Sequence, residues 1–81
     1  MKKEELFEKT AAAIAETADI ELSEITMESK LMDDLELSSL EVYSAMAKLE
    51  ETFSVKIPDE KLMEILTVED LIGEIEQRLN A

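Results

Sequence analysis

The chain contains no histidine and no cysteine, and it has a single glycine and a single proline. Without histidine or cysteine, serine–histidine and cysteine–histidine catalysis and the usual zinc sites are excluded within this chain. One glycine cannot make a glycine-rich phosphate-binding loop. The sequence therefore argues against an enzyme. The absence of cysteine also fits a reducing compartment.

Positive charge is scarce, because 8 basic residues face 21 acidic ones and the net charge is −13. Nucleic acids and anionic membranes are poor partners for such a chain, whereas basic patches on other proteins are good ones. The first residues form no apolar signal region, and no apolar run is long enough to span a bilayer. We expect a monomeric cytoplasmic protein that neither binds nucleic acid nor inserts into membranes.

An acidic run precedes the middle of the chain and includes Asp33, Asp34 and Glu36. These carboxylates could attract a divalent cation. However, leucines occupy positions that a calcium-binding loop needs for ligands, and its central glycine is missing. A solvated acidic run is the better interpretation, and we predict no metal site.

The length of 81 residues predicts one domain, 1–81. Apolar residues recur at helical spacing in several segments and predict an all-α fold. The predicted helices run from about Lys2 to Ala18, from Ser39 to Phe53, from Asp59 to about Leu66, and from Val68 to Leu79. The sequence thus predicts a small four-helix bundle, with three longer helices, one short helix and a long loop between helices 1 and 2.

The second helix begins with the pattern Ser-x-x-Glu at Ser38 and Glu41, which is typical of a capping box. Ser38 is then the N-cap and Ser39 the first helical residue. A hydroxyl at Ser39 lies near unpaired amides and the positive end of the helix dipole, so a phosphodiester would be tolerated there. The pattern alone leaves another interpretation open, in which both serines merely start a helix.

The second helix also has two apolar faces. A core stripe is predicted at Val42, Ala45, Met46, Leu49 and Phe53. A second seam, rotated away from it, contains Leu40, Tyr43 and Ala47 and is bordered by Glu50 and Glu51. This seam could receive a partner, or it could belong to a wider core or lie under the long loop.

Taken together, several ordered blocks resemble the acyl carrier protein family over nearly the whole chain. They are Leu31-Met32-Asp33-Asp34-Leu35, Ser39-Leu40-Glu41, Leu49-Glu50-Glu51-Thr52-Phe53, Ile57-Pro58-Asp59-Glu60 and Thr67-Val68. The resemblance implies a carrier protein without catalytic residues, in which Ser39 bears a covalent 4′-phosphopantetheine from coenzyme A. The thiol of that group would hold acyl intermediates of fatty-acid or related acyl biosynthesis as thioesters.

The resemblance further implies docking of partner enzymes on the second helix. Such partners are phosphopantetheinyl transferases, acyltransferases, ketoacyl synthases and similar enzymes with basic patches. Residues for apolar contact would be Leu40, Tyr43 and Ala47, and residues for charge would be Glu41, Glu50 and Glu51.

Three positions depart from the pattern of the family. Ser38 stands where the family usually has aspartate, Ser44 where an acidic residue is frequent, and Glu36 where glycine is common. If the backbone at Glu36 needs a positive φ, the residue is strained. Alternative functions are therefore a carrier for a polyketide, aminoacyl or specialised lipid pathway, or an unmodified acidic helical interaction module.

Overall fold

The structure is a computed structural model that describes residues 2–80. It contains four α-helices, namely α1 (Lys3–Ala18), α2 (Ser39–Phe53), α3 (Asp59–Leu62) and α4 (Val68–Leu79). A short 3₁₀ helix at Leu22–Glu24 lies in the loop after α1. The prediction of an all-α fold with three longer helices, one short helix and a long first connection is confirmed. The first helix starts one residue later than expected, with Lys2 as its N-cap.

The core lies where α1 packs against both α2 and α4. On α1, three residues that follow one another at i, i+4 spacing are fully buried, namely Leu6, Thr10 and Ile14. Leu49 of α2 and Ile72 of α4 are also fully buried. Because these aliphatic side chains lose their contact with water, their packing is the main source of stability in a chain of this size.

The long loop is held against the beginning of α4 by backbone hydrogen bonds. The amide of Leu31 donates to the carbonyl of Leu66 at 2.9 Å. The amide of Val68 donates to the carbonyl of Ser29 at 3.0 Å, and that of Glu69 to Met27 at 3.0 Å. The loop thus satisfies two amides that the first turn of a helix would otherwise leave unpaired.

Apolar side chains fix the same loop from inside, with Ile25, Leu31 and Leu37 buried in the core. Their spacing in the sequence is not periodic, because the backbone of the loop that carries them is irregular. The loop is therefore an ordered part of the fold that delivers the chain to the start of α2.

The prediction that the third helix extends to about Leu66 is wrong, because α3 ends at Leu62. Beyond it, the amide of Ile65 bonds back to Leu62, at turn spacing instead of α-helical spacing. The carbonyl of Leu66 accepts from the loop, and its amide donates to the carboxylate of Asp70 at 3.1 Å. Both backbone groups of Leu66 are therefore bonded outside α3, and the helix stops before it.

Candidate functional site

The start of α2 has the capping box that the sequence predicted. The hydroxyl of Ser38 accepts from the amide of Glu41 at 3.2 Å, and Oε1 of Glu41 accepts from the amide of Ser38 at 2.8 Å. Ser38 is the N-cap, and Ser39 is the first residue of the helix. The capping box therefore uses the hydroxyl of Ser38. The hydroxyl of Ser39 takes no part in the box and is the one available to another molecule.

Ser39 is exposed and borders a cavity of about 180 Å³. The other residues around this cavity come from the loop, from α2 and from the α3 segment, and they are Leu31, Met32, Val42, Tyr43, Asp59, Leu62, Met63 and Ile65. Most of them are apolar, with Asp59 the charged exception. The accessible hydroxyl of Ser39 thus lies at the edge of an apolar cavity. A group attached to it would be in contact with both solvent and the apolar wall of the cavity.

The electrostatic setting of Ser39 combines a helix terminus with nearby acidic residues. The N-terminus of α2 carries the positive end of the helix dipole, which favours a negative group attached there. Of the acidic residues just before it, Asp34 accepts from the amide of Lys30 at 2.8 Å through Oδ2. Within residues 2–80, no three or more side chains of the metal-binding types are grouped closely enough to hold an ion.

The backbone at Glu36 is left-handed, with φ of 55°. This conformation costs a residue with a side chain about 1–2 kcal/mol, whereas glycine adopts it readily. From the sequence, strain at Glu36 was expected if its backbone has a positive φ. The backbone does have a positive φ, so Glu36 is strained. The exposed turn at Glu36 lies between half-buried Leu35 and buried Leu37, so the chain returns to the core at Leu37, one residue before the capping box begins.

The second apolar seam of α2 faces solvent. Leu40 is 79% exposed, Tyr43 is 50% exposed, and Ala47 is exposed as well. The interpretations that placed this seam in a wider core or beneath the loop are therefore wrong. The opposite face is buried as predicted at Ala45, Met46, Leu49 and Phe53. Val42, which was predicted on the same stripe, is half-buried and lines the cavity beside Ser39.

The three acidic residues expected beside the seam differ in their surroundings. Glu41 is half-buried and engaged in the capping box, whereas Glu51 is exposed. Oε2 of half-buried Glu50 accepts from the amide of buried Ile57 at 2.7 Å. This contact depends on the left-handed reversal at Ser54, where φ is 55°. No local pattern in the sequence signals it, since it joins residues on both sides of the turn.

Sequence reasoning also missed three exposed apolar residues near the site. Met63 is 86% exposed, Leu66 is 65% exposed and Met32 is 54% exposed. Met32 and Met63 line the cavity beside Ser39, and Met32 and Leu66 line a neighbouring one. The early end of α3 explains the exposure of Met63 and Leu66, because a longer helix would have aligned their side chains with a regular face.

None of the helices in residues 2–80 is both long and apolar enough to cross a membrane.

Comparison with known proteins identifies the family. The family model for the phosphopantetheine attachment site matches residues 8–75. The acyl carrier protein of Petrotoga mobilis is 38% identical over 80 residues, covering 99% of this chain and 94% of the relative. That of Coprothermobacter proteolyticus is 37% identical over 79 residues, covering 98% and 96%. That of Thermotoga maritima is 38% identical over 77 residues, covering 95% of each. The chain therefore belongs to the acyl carrier protein family.

Proposed function

We propose that this chain carries acyl intermediates on a 4′-phosphopantetheine joined to the hydroxyl of Ser39 through a phosphodiester. The observation that supports Ser39 is its position as the exposed first residue of α2, beside an apolar cavity and within the matched attachment region. Ser38 is the poorer candidate, because its oxygen already accepts the hydrogen bond of the cap.

The residues around Ser39 fit such a group. The positive end of α2 offsets part of the charge of a phosphodiester on the Ser39 oxygen. The half-buried side chains of Val42 and Leu62 supply an apolar wall next to it. When bound, the group supplies a thiol that holds acyl chains as thioesters. The protein contributes attachment, position and recognition, and the chemistry on the acyl chain belongs to the partner enzymes.

The partners we propose are a phosphopantetheinyl transferase and enzymes of fatty-acid or related acyl biosynthesis, such as acyltransferases and ketoacyl synthases. Their docking surface would be the exposed seam of Leu40, Tyr43 and Ala47, with Glu51 as its exposed charge. Basic patches on these enzymes would be steered by the acidic surface, which raises the rate and selectivity of encounter more than the final affinity. A cytoplasmic location remains a prediction of the sequence.

Intact mass spectrometry tests the attachment. The chain is incubated with a phosphopantetheinyl transferase and coenzyme A, and one prosthetic group is expected on the wild-type protein. Ser39→Ala should abolish the addition. Ser38→Ala should retain it, although loss of the cap costs the helix about 1 kcal/mol.

Circular dichroism of both variants controls for folding. Modification that survives in Ser39→Ala, or that disappears only in Ser38→Ala, would contradict the assignment of the site. A folded wild-type chain that accepts no group would instead support the unmodified helical interaction module.

A further inference from the structure

Two of the methionines border the cavity beside Ser39. Met63 is 86% exposed and Met32 is 54% exposed, and both line that cavity. Of the other methionines in residues 2–80, Met46 is only 4% exposed, and Met27 is half-buried. Because the chain has no cysteine, thioethers are the only sulfur groups that its own residues offer to an oxidant. Within residues 2–80, the exposed thioethers are those at the candidate site.

We propose that Met63 and Met32 form a peroxide-sensitive pair that controls the polarity of this cavity. In the reaction with hydrogen peroxide, a sulfur lone pair attacks one peroxide oxygen and the O–O bond breaks. A new S–O bond forms and the other oxygen leaves as hydroxide, which takes the proton from the transferred oxygen and becomes water. Methionine is thereby oxidised by two electrons to the sulfoxide, and peroxide is reduced. The modification is reversible, because sulfoxide reductases restore the thioether.

Oxidation of these residues changes the cavity more than oxidation of an isolated surface methionine would. A thioether is flexible, polarizable and apolar, whereas a sulfoxide is polar and has a strong hydrogen-bond acceptor. The cavity is otherwise lined mainly by aliphatic residues such as Leu31, Val42 and Ile65. Two sulfoxides at its edge draw water towards that wall, so the oxidised cavity holds apolar groups less well. The consequence for acyl chains rests on the proposed function.

Peptide mapping of the complete apo chain after graded exposure to hydrogen peroxide tests the chemistry. The expected order of sulfoxide formation is Met63, then Met32, with Met46 at least about tenfold slower than Met63, because reactivity follows exposure. In denaturant the rates at these positions should become similar. If Met46 in the folded chain is oxidised as fast as Met63, exposure does not select the pair and the proposal fails.

A spectroscopic test reports on the cavity itself. Tyr43 lines the same cavity, and it is the only tyrosine in a chain without tryptophan, so the intrinsic emission of the protein comes from this position. Peroxide should change that emission in the wild-type chain. It should leave the emission unchanged in a Met32→Leu, Met63→Leu double variant, which keeps similar volume and removes both sulfur atoms from the cavity lining. The same change in the double variant would overturn the proposal.

A third measurement separates this proposal from the proposed function. With an octanoyl-phosphopantetheine on Ser39, hydrolysis of the thioester should accelerate at least twofold after peroxide treatment of the wild-type chain but not of the double variant. Equal acceleration in both would refute the role of the pair. If Ser39 accepts no group at all, the proposed function fails, while the oxidation map and the tyrosine emission still decide whether the pair controls the cavity.

Discussion

The hydrogen bond between Glu50 and Ile57 predicts that Glu50 stabilises the fold. From the sequence, Glu50 was expected on the docking surface for partner enzymes. Glu50→Ala removes the acceptor of a 2.7 Å bond whose donor is the amide of a buried residue. It also removes one of the bonds between the last turns of α2 and the segment after it, although the amide of Val55 still donates to the backbone carbonyl at position 50. We expect a loss of stability that the neighbouring Glu51→Ala does not cause.

The magnitude follows from the partial burial of the bond. A hydrogen bond to a charged group contributes about 1.5–3 kcal/mol, and access of water to half-buried Glu50 lowers that contribution. We therefore expect Glu50→Ala to reduce the free energy of unfolding by about 1–2 kcal/mol. For a chain of this length, that corresponds to a fall in Tm of roughly 4–16 °C.

Urea denaturation followed by circular dichroism measures the effect, and Glu51→Ala serves as the matched control. Both variants remove one negative charge from a chain with a net charge of −13, so both gain the same relief of repulsion. The difference between them isolates the hydrogen bond. Equal unfolding midpoints for the two variants would show that the contact does not stabilise the protein. If the prediction holds, charge reversals at Glu50 also perturb the fold and cannot test docking by themselves.

Three further predictions concern strain, burial and docking. Glu36→Gly should raise the free energy of unfolding by about 0.5–1 kcal/mol, because glycine relieves the positive φ, whereas Glu36→Ala should not; equal midpoints in urea for the two variants would contradict this. Thr10→Val should stabilise the chain by about 1 kcal/mol in the same assay, because the buried hydroxyl of Thr10 has no hydrogen-bond partner among residues 2–80. A loss of stability would count against this prediction. Glu51→Lys should slow the attachment of phosphopantetheine to Ser39 by a transferase severalfold at low salt, and it should weaken the salt dependence of that rate, whereas Glu8→Lys on α1 should do neither. The same response in both variants would contradict the proposed docking surface.

The features of the site that sequence reasoning predicted are those that depend on residues close together in the chain. The capping box of Ser38 and Glu41 spans three residues, so its chemistry can be read without any tertiary contact. The buried face of α2 is also set by local periodicity, because a helix presents every third or fourth residue on one side. For the same reason, the position of Ser39 at the start of α2 was predicted and is confirmed.

The features that were missed depend on contacts between distant segments. The end of α3 is fixed by the bonds of Leu66 to the loop and to Asp70, and local propensity alone favoured a longer helix. The bond from Ile57 to Glu50 exists only because the chain reverses at Ser54. The solvent exposure of Tyr43 was one of the interpretations left open for the second seam of α2. Choosing among them required the path of the loop, which no periodic pattern supplies.

The attachment of the loop to the start of α4 joins the first half of the chain to its last helix. The partners Leu31 and Leu66, like Ser29 and Val68, are far apart in sequence, so bringing them together has an entropic cost and requires the start of α4. The ordered conformation of the loop just before Ser39 therefore depends on the C-terminal helix, α4. A substitution that frays the beginning of α4 would loosen the approach to the candidate attachment residue without touching it, and the amides of Leu31 and Val68 would exchange with solvent as one cooperative unit.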